Sequence, residues 1–407
     1  MKNRLDRVTP GAIAILLLGS IAIAFLVVFP SLPGRMNIDA INIYRDSLLG
    51  KFSDWHVPFI SWMWWKIGSS PTLIAVQTVM TASLVVGSFS VLLQRYRLAP
   101  LTTLLLAALI AFLPPVYAYL TAVAKDTWVA ALFVLMLMMS SVGQTAISLP
   151  LRALLLAIAV VVRPETVLLV PIFIMTEWFM FRRRLRPLMV YIGIVGSVAV
   201  MHNIIIYHII EAKRTNPEKV IFLFDLSGIS IHSGEMLLPR ASFPSQDMKF
   251  LKDNWIPYDV EGILWKASAS KRPILVGGEA LKELRSAWIR AILSHPIDYL
   301  RVRLGVTQQY LHGSSFFHDR IDKNEYIALY FPELNKIANG YLRMSRDVFG
   351  SKWLPFAGSI LLLLFLWFRR DNRDHRPWIA YLAVAILYQI GFMVLSVSPA
   401  FRYGYAS

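Results

Sequence analysis

Four short groups of ionic and aromatic residues interrupt an otherwise apolar chain, and each has side chains that could do chemistry. The first runs Asn37-Ile38-Asp39-Ala40, passes through Tyr44-Arg45-Asp46, and ends in Ser53-Asp54-Trp55-His56-Val57-Pro58. A carboxylate just beyond a hydrophobic run, as Asp39 is, can take a proton from an attacking hydroxyl or help to hold a divalent cation. Asp54 and His56 fit either a share in that chemistry or structural roles as helix cap and hydrogen-bond partner. Trp62, Trp64 and Trp65, a little further on, suit a sugar face or an interfacial aromatic belt. The second group is Lys125-Asp126, in which Lys125 is a point charge suited to a phosphate. Asp126 suits a helix cap or a partner that holds Lys125 in place. The third is Arg163-Pro164-Glu165, where Arg163 can grip a phosphate through two parallel hydrogen bonds or be neutralised by Glu165. The fourth, Arg402-Tyr403, offers the same choice with no acid nearby in sequence.

These groups need elements to position them, and the composition says which kind. Of 407 residues, 56% are hydrophobic and only 16% charged, with several apolar runs near the ~20 residues that a helix needs to cross a bilayer. A charge at a membrane boundary is costly unless it is paired or acts on something, so each group is a candidate for function. The net charge of +16 lies in short basic tracts beside apolar runs, where the positive-inside rule accounts for it and nucleic acid is excluded as a partner. With no cysteine, a disulfide framework, a thiolate nucleophile and a Cys-based metal site are all excluded. No zinc pattern, Walker loop or serine-nucleophile elbow occurs, and His202 and His208 are poorly spaced for a shared helical face.

Threading the runs gives an all-α polytopic membrane protein of about nine transmembrane helices. Lys2, Arg4 and Arg7 hold the N-terminus in the cytoplasm, and the first run is read as a retained helix rather than a cleaved signal. The segment after Pro30 is then an external loop, as is the one carrying Lys125-Asp126. Pro164 breaks the run from Leu151 to Phe181 into two short helices that meet near the outer face, which delivers Arg182-Arg183-Arg184 to the inside. Residues 1–210 form an N-terminal transmembrane module, 211–352 an external, mostly helical α or α+β domain, and 353–407 the C-terminal transmembrane helices. Within the external region, Leu281, Leu284, Trp288 and Ile292 mark an amphipathic helix, and Ser294-His295-Pro296 marks the start of another. All four ionic groups fall on one side of the membrane.

This combination resembles the GT-C class of polytopic glycosyltransferases, which includes protein O-mannosyltransferases and the aminoarabinose transferase of lipid A. The likeness rests on Asp39 in the first external loop, the Trp55-His56-Val57-Pro58 element, Lys125-Asp126, Arg163-Pro164-Glu165 and Arg402-Tyr403. Asp39-Ala40 stands where many relatives carry an Asp-Glu pair. The resemblance implies a polyprenyl-phosphate-linked sugar as donor and a cell-envelope glycan, lipid or protein as acceptor. It implies an inner-membrane location with the active site on the outer, periplasmic side. Asp39 would be the base, Lys125, Arg163 and Arg402 would bind the donor phosphate, and Asp54, His56, Asp126, Glu165 and Tyr403 would support them. Cations can stabilise a departing phosphate without a metal, so no metal site is assigned, and a divalent cation stays open. Two other readings use the same residues: a transporter or flippase of a lipid-linked sugar, and a structural assembly subunit. Gln77, His202 and Asn203 inside apolar runs are what a transport path would use.

Overall fold

The computed structural model describes residues 10–56, 58–94, 96, 98–142, 148–180, 185–257, 262–266, 273–312, 327–345, 353–368 and 376–395. Among these residues every named element is helical, and extended pairing is limited to two isolated bridges. Arg402 and Tyr403 lie outside the described residues, as does the Arg182-Arg183-Arg184 tract.

Helix α1 (Pro10–Val28) opens on a proline, whose missing N–H costs nothing in a first turn, and runs into a 3-10 turn over Phe29–Ser31. The segment read above as the first external loop is largely helical, as α2 (Ile38–Leu49) and α3 (Pro58–Ile67). Asn37 caps α2 by accepting the Ala40 N–H at 2.9 Å, and Gly50 ends it in the left-handed region at φ 60°. Its apolar face of Ala40, Ile43 and Tyr44 is buried, while Asp39, Arg45 and Asp46 stand among the remaining positions. That mixture reads as loop directly after a first helix that is apolar all round.

Helix α4 (Pro71–Gln94) packs along α1, where the small residues Ser20, Ala24, Ala82 and Ser90 are buried and Ser20 donates to Ser90 at 3.0 Å. Helices α5 (Pro100–Phe112) and α6 (Pro114–Leu120) are bent by 84° at Leu113, ahead of the Pro114-Pro115 pair. Next come α7 (Lys125–Val142) and α8 (Ser148–Val162). The chain breaks at Arg163, which Pro164 forces into an extended conformation at φ −145° and ψ 97°. A 3-10 segment over Pro164–Leu169 leads to α9 (Val170–Met180), so the run does divide at this proline. Helix α10 (Leu185–Ile204) continues into a π turn over Ile205–Ile209.

By length and apolarity three stretches could cross a membrane, Gly11–Ser31, Pro71–Gln94 and Ile192–Ile209, and a fourth if the bent α5–α6 pair is one span. Against the nine crossings expected, that is what the described residues supply on this measure.

In the 211–352 region, α11 (Lys219–Ser233), α12 (Met248–Asn254), α13 (Gly278–Ser294) and α14 (Pro296–His312) share one core, with Phe224, Leu226, Phe243, Leu251, Leu284 and Val302 buried in it. Asp225 is buried there, accepting from Trp288 Nε1 at 2.9 Å and paired with Arg303. Burial pushes its carboxyl above the usual range, while the Arg303 charge and the Trp288 and Arg303 hydrogen bonds pull it back. The last helix of the region, α15 (Pro332–Met344), packs elsewhere: against the Phe29–Ser31 turn and α6. Helices α16 (Trp353–Phe368) and α17 (Arg376–Leu395) pack on each other, and α17 also meets α9 and α14.

Candidate functional site

The residues after α1 and those before α7 lie side by side. Arg35 N–H donates to Thr121 O at 2.8 Å and Val123 N–H donates to Arg35 O at 2.7 Å, which makes a parallel bridge between Arg35 and Ala122. Helix α2 starts three residues past Arg35 and helix α7 three residues past Ala122, so the first turns carrying Asp39 and Lys125 both spring from this bridge. Beneath them one cluster, including Met36, Ala40, Val123, Val129, Ala159 and Val162, joins α2, α7 and α8. The bridge closes this tightly only because position 34 is glycine. Gly34 has φ +143°, and a Cβ there would sit 2.2 Å from Val123 Cγ2 and 2.7 Å from Thr78 Oγ1. Thr78 also donates to Pro33 O at 2.8 Å, tying the turn to α4.

Arg35 itself is a residue that the sequence reading passed over. It is buried, its Nε donates to Ser31 Oγ at 3.2 Å and to Asn335 Oδ1 at 3.3 Å, and its guanidinium lies 5.9 Å from the Tyr117 ring centroid. The signal for it was the Pro33-Gly34-Arg35 turn directly after an apolar run, where a cation is costly unless something holds it.

The ionic candidates separate into distinct roles by geometry. Asp39 is half-buried on the first turn of α2. Lys125 is half-buried on the first turn of α7 and has no hydrogen-bond or ion-pair partner among the described residues. Asp126, expected beside Lys125 as its partner or as a cap, points its carboxylate elsewhere: it pairs with Arg163 Nη1, and both side chains are almost fully buried, at 2% and 1% exposed. Among the described residues the acid paired with Arg163 therefore comes from α7. Glu165 sits in the 3-10 segment, and its side chain lies outside the described residues.

Asp54 caps no helix. Its carboxylate accepts from the Tyr207 hydroxyl at 3.0 Å and from the Thr215 N–H and hydroxyl, each at 2.6 Å. Two backbone bonds, Asp54 N–H to Lys213 O at 3.1 Å and Lys213 N–H to Phe52 O at 2.9 Å, fasten the same place. His56 lies beyond this anchor, half-buried. Of the tryptophans, Trp64 is neither belt nor sugar platform: it is buried and donates to Gln77 Oε1 at 2.6 Å, so that Gln77 is engaged within the protein. Trp65 is exposed, with Lys66 Nζ 4.4 Å from its ring centroid.

Among the described residues no group of three or more His, Asp or Glu side chains is disposed to hold a metal ion. The arrangement starts an acid-bearing and a cation-bearing helix from one bridge, and the second of these helices also carries the acid of a buried ion pair. Comparison with protein-family models, curated proteins and solved structures gives no match to this chain.

Proposed function

We propose that the chain is an integral membrane glycosyltransferase that moves a sugar from a polyprenyl-phosphate carrier to a cell-envelope glycan, lipid or protein on the outer face of the membrane. The observation that carries this reading is the bridge at Arg35, from which Asp39 and Lys125 both emerge on first helical turns. Asp39 accepts the proton of the acceptor hydroxyl as its oxygen bonds to the anomeric carbon. The bond from that carbon to the phosphate oxygen breaks, and the polyprenyl phosphate leaves with the electron pair. Lys125 faces the charge that develops on the leaving phosphate, the stage at which a fixed cation accelerates the step. The engagement of Gln77 by Trp64 weighs against the transport reading, because it withdraws one polar group from a path through the membrane.

The test is purified full-length protein given a polyprenyl-phosphate sugar and an envelope acceptor fraction, with release of polyprenyl phosphate as the readout. Asp39→Asn should lower that release by about 10²–10⁴-fold, the usual contribution of a general base. Release that survives the substitution removes Asp39 from the role. Lipid-linked sugar that crosses proteoliposomes unhydrolysed would replace the enzyme by the transporter.

A further inference from the structure

Helix α15 carries three faces. Asn335, Ala338 and Leu342 are buried against the Phe29–Ser31 turn and α6. Glu333 and Lys336 pair at 2.7 Å on the polar side, with Arg343 exposed beside them. Between these lie Leu334, Ile337, Tyr341 and Met344, at 40%, 71%, 42% and 86% exposed, spaced 3, 4 and 3 residues apart so that they form one stripe. The apolar arc of this helix is thus wider than the part the protein covers.

What covers the rest is indicated by its neighbours. The Tyr341 hydroxyl donates to Phe112 O at 2.6 Å, at the end of α5. Leu101, Leu105, Leu109 and Phe112 form an exposed apolar stripe along α5 that runs straight to that contact. The other side of the docking site is the turn that follows α1, and Phe25 and Leu26 near the end of that helix, like Leu18 in its middle, are exposed in the same way. The bare face of α15 therefore continues the apolar exterior of two helices that the membrane reading places in lipid. A helix with an apolar arc on one side and a charged pair on the other is built to lie at the lipid–water boundary.

Resting on the membrane reading above, we infer that α15 lies in the outer lipid–water boundary, its Leu334-Ile337-Tyr341-Met344 stripe among bilayer acyl chains, and that it fastens the Arg35 turn to the membrane surface through Asn335. The occupant is bulk lipid. Because the chain has no cysteine, single-cysteine variants Ile337→Cys, Met344→Cys and Lys336→Cys of the full-length protein can each carry one nitroxide in proteoliposomes of phosphatidylethanolamine and phosphatidylglycerol. Relative collision rates with oxygen and with a water-soluble nickel chelate give each label its depth. Labels at 337 and 344 should sit about 5–10 Å below the phosphates and the label at 336 above them. Nickel accessibility at 337 and 344 equal to that at 336 overturns the inference, as does spin–spin broadening at 337 that disappears on dilution with unlabelled protein, which would make the stripe a contact between copies. Both apolar side chains replaced are largely exposed, so the labels displace little packing; Ile337→Trp, quenched by brominated lipid, gives an independent reading. Lipid burial does not depend on turnover: protein that fails to release polyprenyl phosphate can still bury these labels, and active protein can fail to.

Discussion

Asp126 stands next to Lys125 in sequence yet serves Arg163, and this reassignment changes what each side chain can do. A guanidinium buried to 1% exposure is tolerable only beside its counter-charge, because desolvating an ion costs several kcal/mol that the pair must offset. Asp126→Asn, or Arg163→Met, takes the opposite charge away from a buried ion and should cost about 3–5 kcal/mol, whereas the pair Asp126→Leu with Arg163→Met should recover most of that loss. Thermal unfolding of the three variants in detergent checks this, and single variants as stable as the parent would mean that the pair braces nothing. On the proposed reaction, the same pairing makes Lys125 the foremost cation for the donor phosphate, with Arg163 holding the floor on which Lys125 stands. Asp54 shows the same economy of position: a carboxylate accepting three hydrogen bonds from Tyr207 and Thr215 is fixed in place, which suits an anchor better than a proton carrier that must move or recharge.

At the scale of elements, the decisive contact is the short bridge between the ends of α1 and α6, and Gly34 is its most sensitive position. Gly34→Ala asks an L-residue to adopt φ +143° with its Cβ 2.2 Å from Val123 Cγ2. Strain of about 1–3 kcal/mol follows from the backbone alone, so the variant should melt lower and, on the proposed reaction, lose turnover even though no charged group has changed. Unaltered melting and turnover would show that α2 and α7 are held together by something other than the bridge. Much of this layer was legible in the sequence. Apolar runs, prolines and the break at Pro164 placed the long helices, because their signals are local. The helices α2 and α3 were not legible, since their buried faces are short and interleaved with Arg45, Asp46 and Lys66. Nor was the pairing of Asp126 with Arg163, or of Trp64 with Gln77: partners far apart in sequence are chosen by packing, which no spacing rule encodes. The docking of α15 on α1 and α6, far from the core shared by α11 to α14, was hidden for the same reason.

For the whole molecule, the orientation of the chain decides whether the site can meet a carrier on the outer face. Glu235 is exposed just after α11, in the region that the threading puts outside. In the cysteine-free chain, Glu235→Cys should react with a membrane-impermeant maleimide in intact spheroplasts; labelling only after permeabilisation would reverse the topology and with it the proposed reaction. The contacts that hold the turn at Arg35 differ widely in reach. One of them joins Arg35 to Asn335, 300 residues apart, and Ser31 in the preceding turn reaches the same Asn335 across 304. That separation has a consequence for biosynthesis. As the chain leaves the ribosome, α1 and α2 are made early, yet the Arg35 turn cannot acquire its bridge until Thr121 to Val123 have been synthesised, nor its Asn335 contact until α15 emerges. The turn from which the acid-bearing helix springs is thus completed only when most of the polypeptide exists, and a truncated product released before α15 would leave that turn without its Asn335 contact.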